Sequence, residues 1–130
     1  MELSERQKIC ELVAGVLYAD GVMRDEERIF LDRIYTRFNL PPEARHDLKP
    51  IADAGQASAS LRALPDELKR RVMALLIEAA VVDTIVHPAE RTFLLIAAAA
   101  LGVDADVVET RITKRLAALP QMGPQSNPAG

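Results

Sequence analysis

The 130-residue sequence contains no tryptophan and only three phenylalanines and two tyrosines, so aromatic side chains cannot dominate its core. Aliphatic residues must fill the core instead, and long stretches of Ala, Leu and Ile favour helices over strands. Hydrophobic residues make up 49% of the chain, which is enough apolar surface to exclude a wholly disordered protein. The composition therefore predicts an all-helical chain of single-domain size.

Cysteine, basic charge and long apolar runs are also scarce. Cys10 has no second cysteine with which to form a disulfide, which favours a reducing compartment. The 16 Lys and Arg do not outnumber the 19 Asp and Glu, and the net charge of −3 argues against a nucleic-acid partner. The longest apolar run, 93–103, is shorter than the roughly 20 residues that span a bilayer. Since the sequence also opens without a signal-peptide pattern, we expect a cytoplasmic protein with no direct membrane insertion.

Apolar side chains recur at helical spacing and predict about seven helices. We expect Ser4 to cap the first helix, with Gln7 completing a capping box. In the second helix we expect Ile29, Phe30, Ile34 and Phe38 to face the core. The expected helices cover about 4–19, 25–38, 42–51, 57–64, 65–82, 88–101 and 104–119.

The C-terminal residues have a different composition from the rest of the chain. Residues 120–130 contain three prolines, two glycines and no charged side chain. Such a segment cannot bury enough apolar surface to order itself. The sequence therefore predicts a helical domain over 1–119 and a disordered tail over 120–130.

An internal repeat appears at an offset of 63 residues, which aligns 14–42 with 77–105 without a gap. Each copy contains the end of an apolar helix, an Asp, a short loop, a Glu and a second apolar helix. Each helix–loop–helix unit leaves one apolar face open, and two units can bury these faces against each other. The repeat therefore predicts a compact, bundle-like domain built from two pseudo-repeated units. The acidic pairs are Asp20 with Asp83 and Glu27 with Glu90.

The acidic positions of the repeat have a structural interpretation. Asp20 and Asp83 follow helix C-termini, where a carboxylate is disfavoured by up to about 1 kcal/mol. Loop N–H groups, an arginine or a cation must therefore compensate each charge. In the structural interpretation both Asp residues form Asx turns. Glu27 and Glu90 then lie at the third position of helices whose N-caps are Arg24 and His87, and each caps a backbone N–H.

The functional interpretation of the same residues is a divalent-cation site. Hard cations such as Ca²⁺ and Mg²⁺ require several oxygen ligands, and Mn²⁺ or Zn²⁺ are further candidates. The spacing is not that of an EF-hand, so both units, or water, would have to complete the coordination. The candidate ligands are Asp20, Glu27, Asp83 and Glu90, with Asp25, Glu26 and His87 as secondary candidates.

The stretches 19–27, 82–91 and 100–103 resemble the TerB-like family, which is named for tellurite resistance. Members carry a doubled A-D-G-x-x-x-x-x-E helix–loop–helix motif, and the similarity covers about residues 5–118. In the second copy Val82 and Thr84 replace the motif's Ala and Gly. A related domain occurs in membrane-anchored DnaJ-like co-chaperones.

The resemblance implies a fold of about seven helices and a non-enzymatic role in a tellurite-type stress response. It also implies binding to another protein, including membrane-associated complexes, and divalent metal at the four acidic positions of the doubled motif.

The remaining residues offer no catalytic or cofactor-binding constellation. Cys10 is expected to be a buried, unreactive thiol, and His46 an isolated surface residue. No phosphate-binding glycine loop or nucleophile motif occurs in the sequence. We therefore expect a protein without enzymatic activity. A metal-free helical scaffold, or a co-chaperone-like interaction domain, is the alternative to a cation-binding domain.

Overall fold

Seven helices follow one another in the part of the chain that the computed structural model describes, residues 2–51, 53–82 and 85–118. No strand occurs within these ranges, and the all-helical prediction is confirmed. Asp83, Thr84 and the proposed tail 120–130 lie outside the described residues. The helices are α1 (Leu3–Leu17), α2 (Asp25–Arg37), α3 (Pro42–His46), α4 (Ala54–Arg62), α5 (Asp66–Ala80), α6 (Pro88–Ala100) and α7 (Ala105–Ala118).

The helix bounds reproduce the internal repeat. A shift of 63 residues carries Leu3–Leu17 onto Asp66–Ala80, and Asp25–Arg37 onto Pro88–Ala100. The same shift aligns the first residues of α3 and α7. The units differ beyond that point, since α3 ends after 5 residues whereas α7 runs for 14.

The two repeated hairpins end their second helices in the same way. Asn39 and Gly102 both adopt the left-handed conformation, with φ of 53° and 75°. The next residue donates its N–H to a carbonyl five residues back, at 3.0 Å for Leu40 and 2.8 Å for Val103. Both hydrogen bonds belong to Schellman motifs, which satisfy the last carbonyls of a helix and reverse the chain. The repeat therefore preserves backbone geometry where its side chains differ.

α1 and α5 lie at the centre of the molecule. They pack against each other, and both pack against α6, while α2 covers α1, α7 packs on both α5 and α6, and α4 packs on α6. None of the helices in the described ranges is long and apolar enough to cross a membrane. The central helices bury matched positions: Ile9 with Val72, Leu12 with Leu75, Val13 with Leu76, and Val16 with Ala79.

The predicted inner face of α2 was partly wrong. Ile34 and Phe38 are buried as expected and Phe30 is partly buried against the core, but Ile29 is 52% exposed. The buried stripe instead contains Glu27 and Leu31, which precede Ile34 at helical spacing. Ile29 lies two residues from Glu27 and Leu31, and therefore on the opposite side of the helix.

Two predicted helix ends were also wrong. α1 begins at Leu3 with Glu2 as its N-cap, so Ser4 and Gln7 do not form the capping box. Glu5 takes that role, because its carboxylate accepts the Glu2 N–H at 3.0 Å. α3 stops at His46 rather than continuing to residue 51.

The segment that follows α3 crosses α1 instead of extending its own helix. Lys49 N–H donates to the Glu11 carboxylate at 3.2 Å, and Ile51 N–H donates to the Glu11 carbonyl at 3.1 Å. Gly15 permits this crossing, because a Cβ there would overlap the Ile51 carbonyl oxygen and lie 3.2 Å from Phe93 Cζ. Backbone contact with α1 and the proline at position 50 explain why α3 is short.

Gly15→Ala tests this crossing. Alanine usually stabilises a helix interior by about 1 kcal/mol relative to glycine. Here the overlap with Ile51 must displace the crossing segment, and overpacking costs roughly 1–3 kcal/mol or more. We expect a net fall in the free energy of unfolding of about 1–2 kcal/mol, measured by urea denaturation with circular dichroism at 222 nm.

Gly55→Ala is the matched control. Gly55 is exposed in the first turn of α4, and the nearest atom to an added Cβ is a terminal oxygen of the Asp53 side chain, at 3.2 Å. That oxygen caps α4 by accepting the Gln56 N–H at 2.8 Å, and it needs to shift by only a few tenths of an ångström, so the variant should stay within about 0.5 kcal/mol of the wild type. A Gly15→Ala protein that matches its control in stability would contradict the proposed role of the glycine.

Candidate functional site

Asp20 lies just beyond the C-terminus of α1, in the turn that ends at Gly21 (φ 81°). Its Oδ1 accepts the Val22 N–H at 3.1 Å, which is an Asx-type turn. Its Oδ2 accepts a hydrogen bond from Arg24 Nη1 at 2.9 Å. A loop N–H and an arginine therefore compensate the charge that the end of α1 disfavours.

Arg24 connects the acidic residues of the first corner, the loop between α1 and α2. Its backbone N–H donates to Glu27 Oε1 at 2.9 Å, as the capping prediction required. Its guanidinium Nη1 lies 2.9 Å from Asp20 Oδ2 and 3.6 Å from Glu27 Oε1. A positive charge thus occupies the position from which a cation would bridge these two carboxylates. The sequence had indicated Arg24 only as a cap, although its spacing of four residues from Asp20 favours an ion pair.

The second corner, the loop between α5 and α6, repeats the cap and reaches the first corner. His87 N–H donates to Glu90 Oε1 at 3.0 Å, and Pro88 occupies the first helical position. His87 Nε2 lies 3.8 Å from Asp20 Oδ2, so the two corners are adjacent in space. Asp83, the candidate ligand of the second loop, lies outside the described residues.

Glu27 and Glu90 are carried into the interior by the first turns of α2 and α6. Both side chains are fully buried. Each uses Oε1 to cap its helix, where the helix dipole also favours negative charge. The second oxygen of Glu27, Oε2, is buried and has no hydrogen-bond partner in the described part of the chain.

The structure therefore brings together only part of the predicted ligand set. Asp20 and His87 are neighbours, whereas the secondary candidates Asp25 and Glu26 are exposed in the first turn of α2. Among the described residues, no group of three or more His, Cys, Asp or Glu side chains is arranged to hold a metal ion.

Exposed apolar side chains at the corners were missed by the sequence analysis. Val22 and Ile85, which occupy matched positions of the two loops, are 50% and 60% exposed. Tyr18, beside the first corner, is 39% exposed. The repeat alignment paired Val22 with Ile85, but periodicity does not extend into loops and could not indicate which way their side chains point.

The remaining titratable candidates are not part of the corners. Cys10 is fully buried, and burial raises the pKa of its thiol to about 12, so the thiol stays protonated and unreactive at neutral pH. This agrees with the expectation of a buried, inert cysteine. His46 is exposed, as expected.

Comparisons of the chain with protein-family models, with curated proteins and with solved structures find no match. The TerB-like relationship therefore stays a prediction that depends on the doubled acidic motif.

The pKa of Asp20 reflects its partners. Burial acts to raise this pKa, but the Val22 N–H hydrogen bond and the Arg24 guanidinium act against it. Together with the nearby His87 they hold the pKa below its ordinary value of 3.8. A carboxyl whose pKa is lower in the folded state stabilises the protein above its unfolded-state pKa, and this contribution is lost as the pH falls through the folded-state value.

Asp20→Asn should therefore destabilise the protein in a pH-dependent way. Near pH 7 we expect the variant to be less stable by up to about 1 kcal/mol, the usual range for a partly exposed ion pair. The difference from wild type should shrink as the pH falls from about 4, near the unfolded-state pKa, through the lower folded-state pKa of Asp20. Urea denaturation of both proteins at a series of pH values measures this difference in the free energy of unfolding.

Asp32→Asn, on the exposed face of α2, controls for the loss of one negative charge from the chain. A destabilisation by Asp20→Asn that is the same at every pH would show that the carboxylate charge does not stabilise the corner.

Proposed function

We propose that the chain is a non-catalytic, TerB-like helical domain that binds another protein through the surface formed by its two corners. The observation that carries this proposal is the exposure of Val22 and Ile85, at 50% and 60%. Single exposed apolar residues are ordinary on protein surfaces. Here two occupy matched loop positions, on corners brought together by the approach of His87 to Asp20.

The corners use their polar groups internally. Glu27 and Glu90 point inward as caps, and Asp20 is engaged by Val22 and Arg24. This arrangement leaves the apolar side chains of the loops as groups that a partner can contact. It also turns the repeated glutamates away from any substrate, which supports a binding role over an acid–base catalytic one.

The proposed biological setting is a stress response of the tellurite type, with a membrane-associated protein complex as the partner. The doubled acidic motif at 19–27 and 82–91 supports this setting through its resemblance to TerB-like proteins. A co-chaperone-like interaction domain would use the same exposed corner surface.

Photo-cross-linking and complementation test the corner surface together. Benzoylphenylalanine at position 22 or 85 should cross-link the same partner in cells exposed to tellurite. In a strain lacking the wild-type gene, the Val22→Ser, Ile85→Ser double variant should fail to restore tellurite resistance. Its free energy of unfolding should stay within about 1 kcal/mol of the wild-type value, because both side chains are largely exposed.

Leu3→Ser provides the matched control. Leu3 is 39% exposed and lies at the opposite end of the 15-residue helix α1, roughly 20 Å from the first corner. The control should restore resistance as well as wild type does. Equal resistance from the double variant and the control, with no shared cross-linked partner, would reject the proposed function.

A divalent cation at the first corner is the second candidate function. The observation in its favour is Glu27 Oε2, a buried carboxylate oxygen without a hydrogen-bond partner in the described part of the chain. A cation that bridged Glu27 and Asp20 would have to displace the Arg24 guanidinium from between them. The protein-binding proposal therefore does not require a metal.

Thermal melts separate the two candidates. With EDTA, and then with Ca²⁺, Mg²⁺, Mn²⁺ or Zn²⁺, we expect the melting temperature to stay constant within about 1 °C. A bound ion at 100 times its dissociation constant would add about 2.7 kcal/mol and raise the melting temperature by several degrees. A rise that disappears in the Asp20→Asn, Asp83→Asn double variant would establish the cation site instead.

A further inference from the structure

A groove runs between α5 and α7, on a face of the molecule that the corners do not include. This open groove has a volume of about 400 Å³, which is within the usual range for ligand sites. The groove is lined by Arg70, Ala74, Ile77 and Glu78 of α5 and by Arg111, Lys114 and Arg115 of α7.

The groove is strongly basic although the chain as a whole carries a net charge of −3. Its lining contains four cationic side chains and one carboxylate. Glu78 Oε2 and Arg115 Nη2 form an ion pair at 3.2 Å, which joins α5 to α7 across the groove. Within the described part of the chain, Arg70, Arg111 and Lys114 have no carboxylate partner.

The floor of the groove is apolar. Ile77 is buried beneath it, and the exposed Ala74 leaves the space between the cationic side chains open. Val107 is 40% exposed one helical turn before Arg111, on the same face of α7, and extends the apolar surface along the helix. An apolar floor between cationic walls complements a ligand that has an apolar face bordered by negative charge.

We propose that this groove binds an acidic amphipathic helix of a partner protein. Apolar side chains of that helix would cover the exposed Ala74 and Val107, and its Asp and Glu carboxylates would pair with Arg70, Arg111 and Lys114. A compact anion such as phosphate would satisfy the charges but leave Ala74 and Val107 exposed to water. The groove contains no corner residue, so the test of the groove and the test of the proposed function have independent outcomes.

The probe is a fluorescein-labelled 18-residue helical peptide with leucines at three- and four-residue spacing and glutamates on the flanking positions. Anisotropy is measured with EDTA present, so that a cation at the corners cannot contribute. We expect saturable binding that weakens as salt is added. The Arg111→Glu, Lys114→Glu double variant should weaken binding at least about tenfold, and a peptide with Gln in place of Glu should lose a similar amount.

The Arg28→Glu, Arg33→Glu double variant is the matched control, because it makes the same charge change at two exposed positions of α2. It should bind within about twofold of wild type. The milder Arg70→Gln should weaken binding in the same direction as the groove double variant, which keeps the test valid if that variant does not fold.

Three results would overturn the inference. The first is absence of peptide binding at millimolar concentration, and the second is equal weakening by the groove and control variants. The third is sedimentation of the chain with phosphatidylglycerol vesicles through Arg111 and Lys114 without binding of the peptide, which would assign the groove to an anionic membrane surface.

Discussion

The structure depends on one hydrogen bond that occurs twice: a buried glutamate, three residues into a helix, accepts the backbone N–H of the residue that caps that helix. Glu27 and Glu90 make this bond at 2.9 Å and 3.0 Å. Each bond fixes the angle at which a repeated hairpin turns, and so the direction in which its second helix leaves the central pair α1 and α5. Removing either acceptor would leave a partly buried N–H without its cap, and the loss of a helix cap typically costs about 1 kcal/mol.

The same residues explain how much of the site could be predicted. The position of Glu27 and Glu90 after a loop was enough to predict caps, because capping depends on spacing along the chain. For the compensation of the Asp20 charge the sequence predicts only three alternatives: loop N–H groups, an arginine or a cation. Which of them applies depends on side-chain direction, and here Arg24 and the Val22 N–H supply the compensation.

The fold was more predictable than its details for a physical reason. Seven helices follow from apolar periodicity, which local sequence specifies directly. The short α3, by contrast, is set by a crossing over Gly15, a contact between residues far apart in sequence. The exposure of Ile29 has a similar origin, because the packing of α2 against its neighbouring helices determines which of its faces is buried. These two errors therefore occur where tertiary contacts outweigh local pattern.

The central pair of helices also has a kinetic consequence. Contacts within each hairpin join residues that are close in sequence, whereas α1 meets α5 across a separation of about one repeat, 63 residues. Closing a chain segment of that length costs entropy before any contact compensates for it. The hairpins are therefore expected to assemble first, and their docking to limit the folding rate. Between those two steps each half has an exposed apolar face. Either half of another molecule can cover that face, so domain swapping between molecules is the expected form of misassembly.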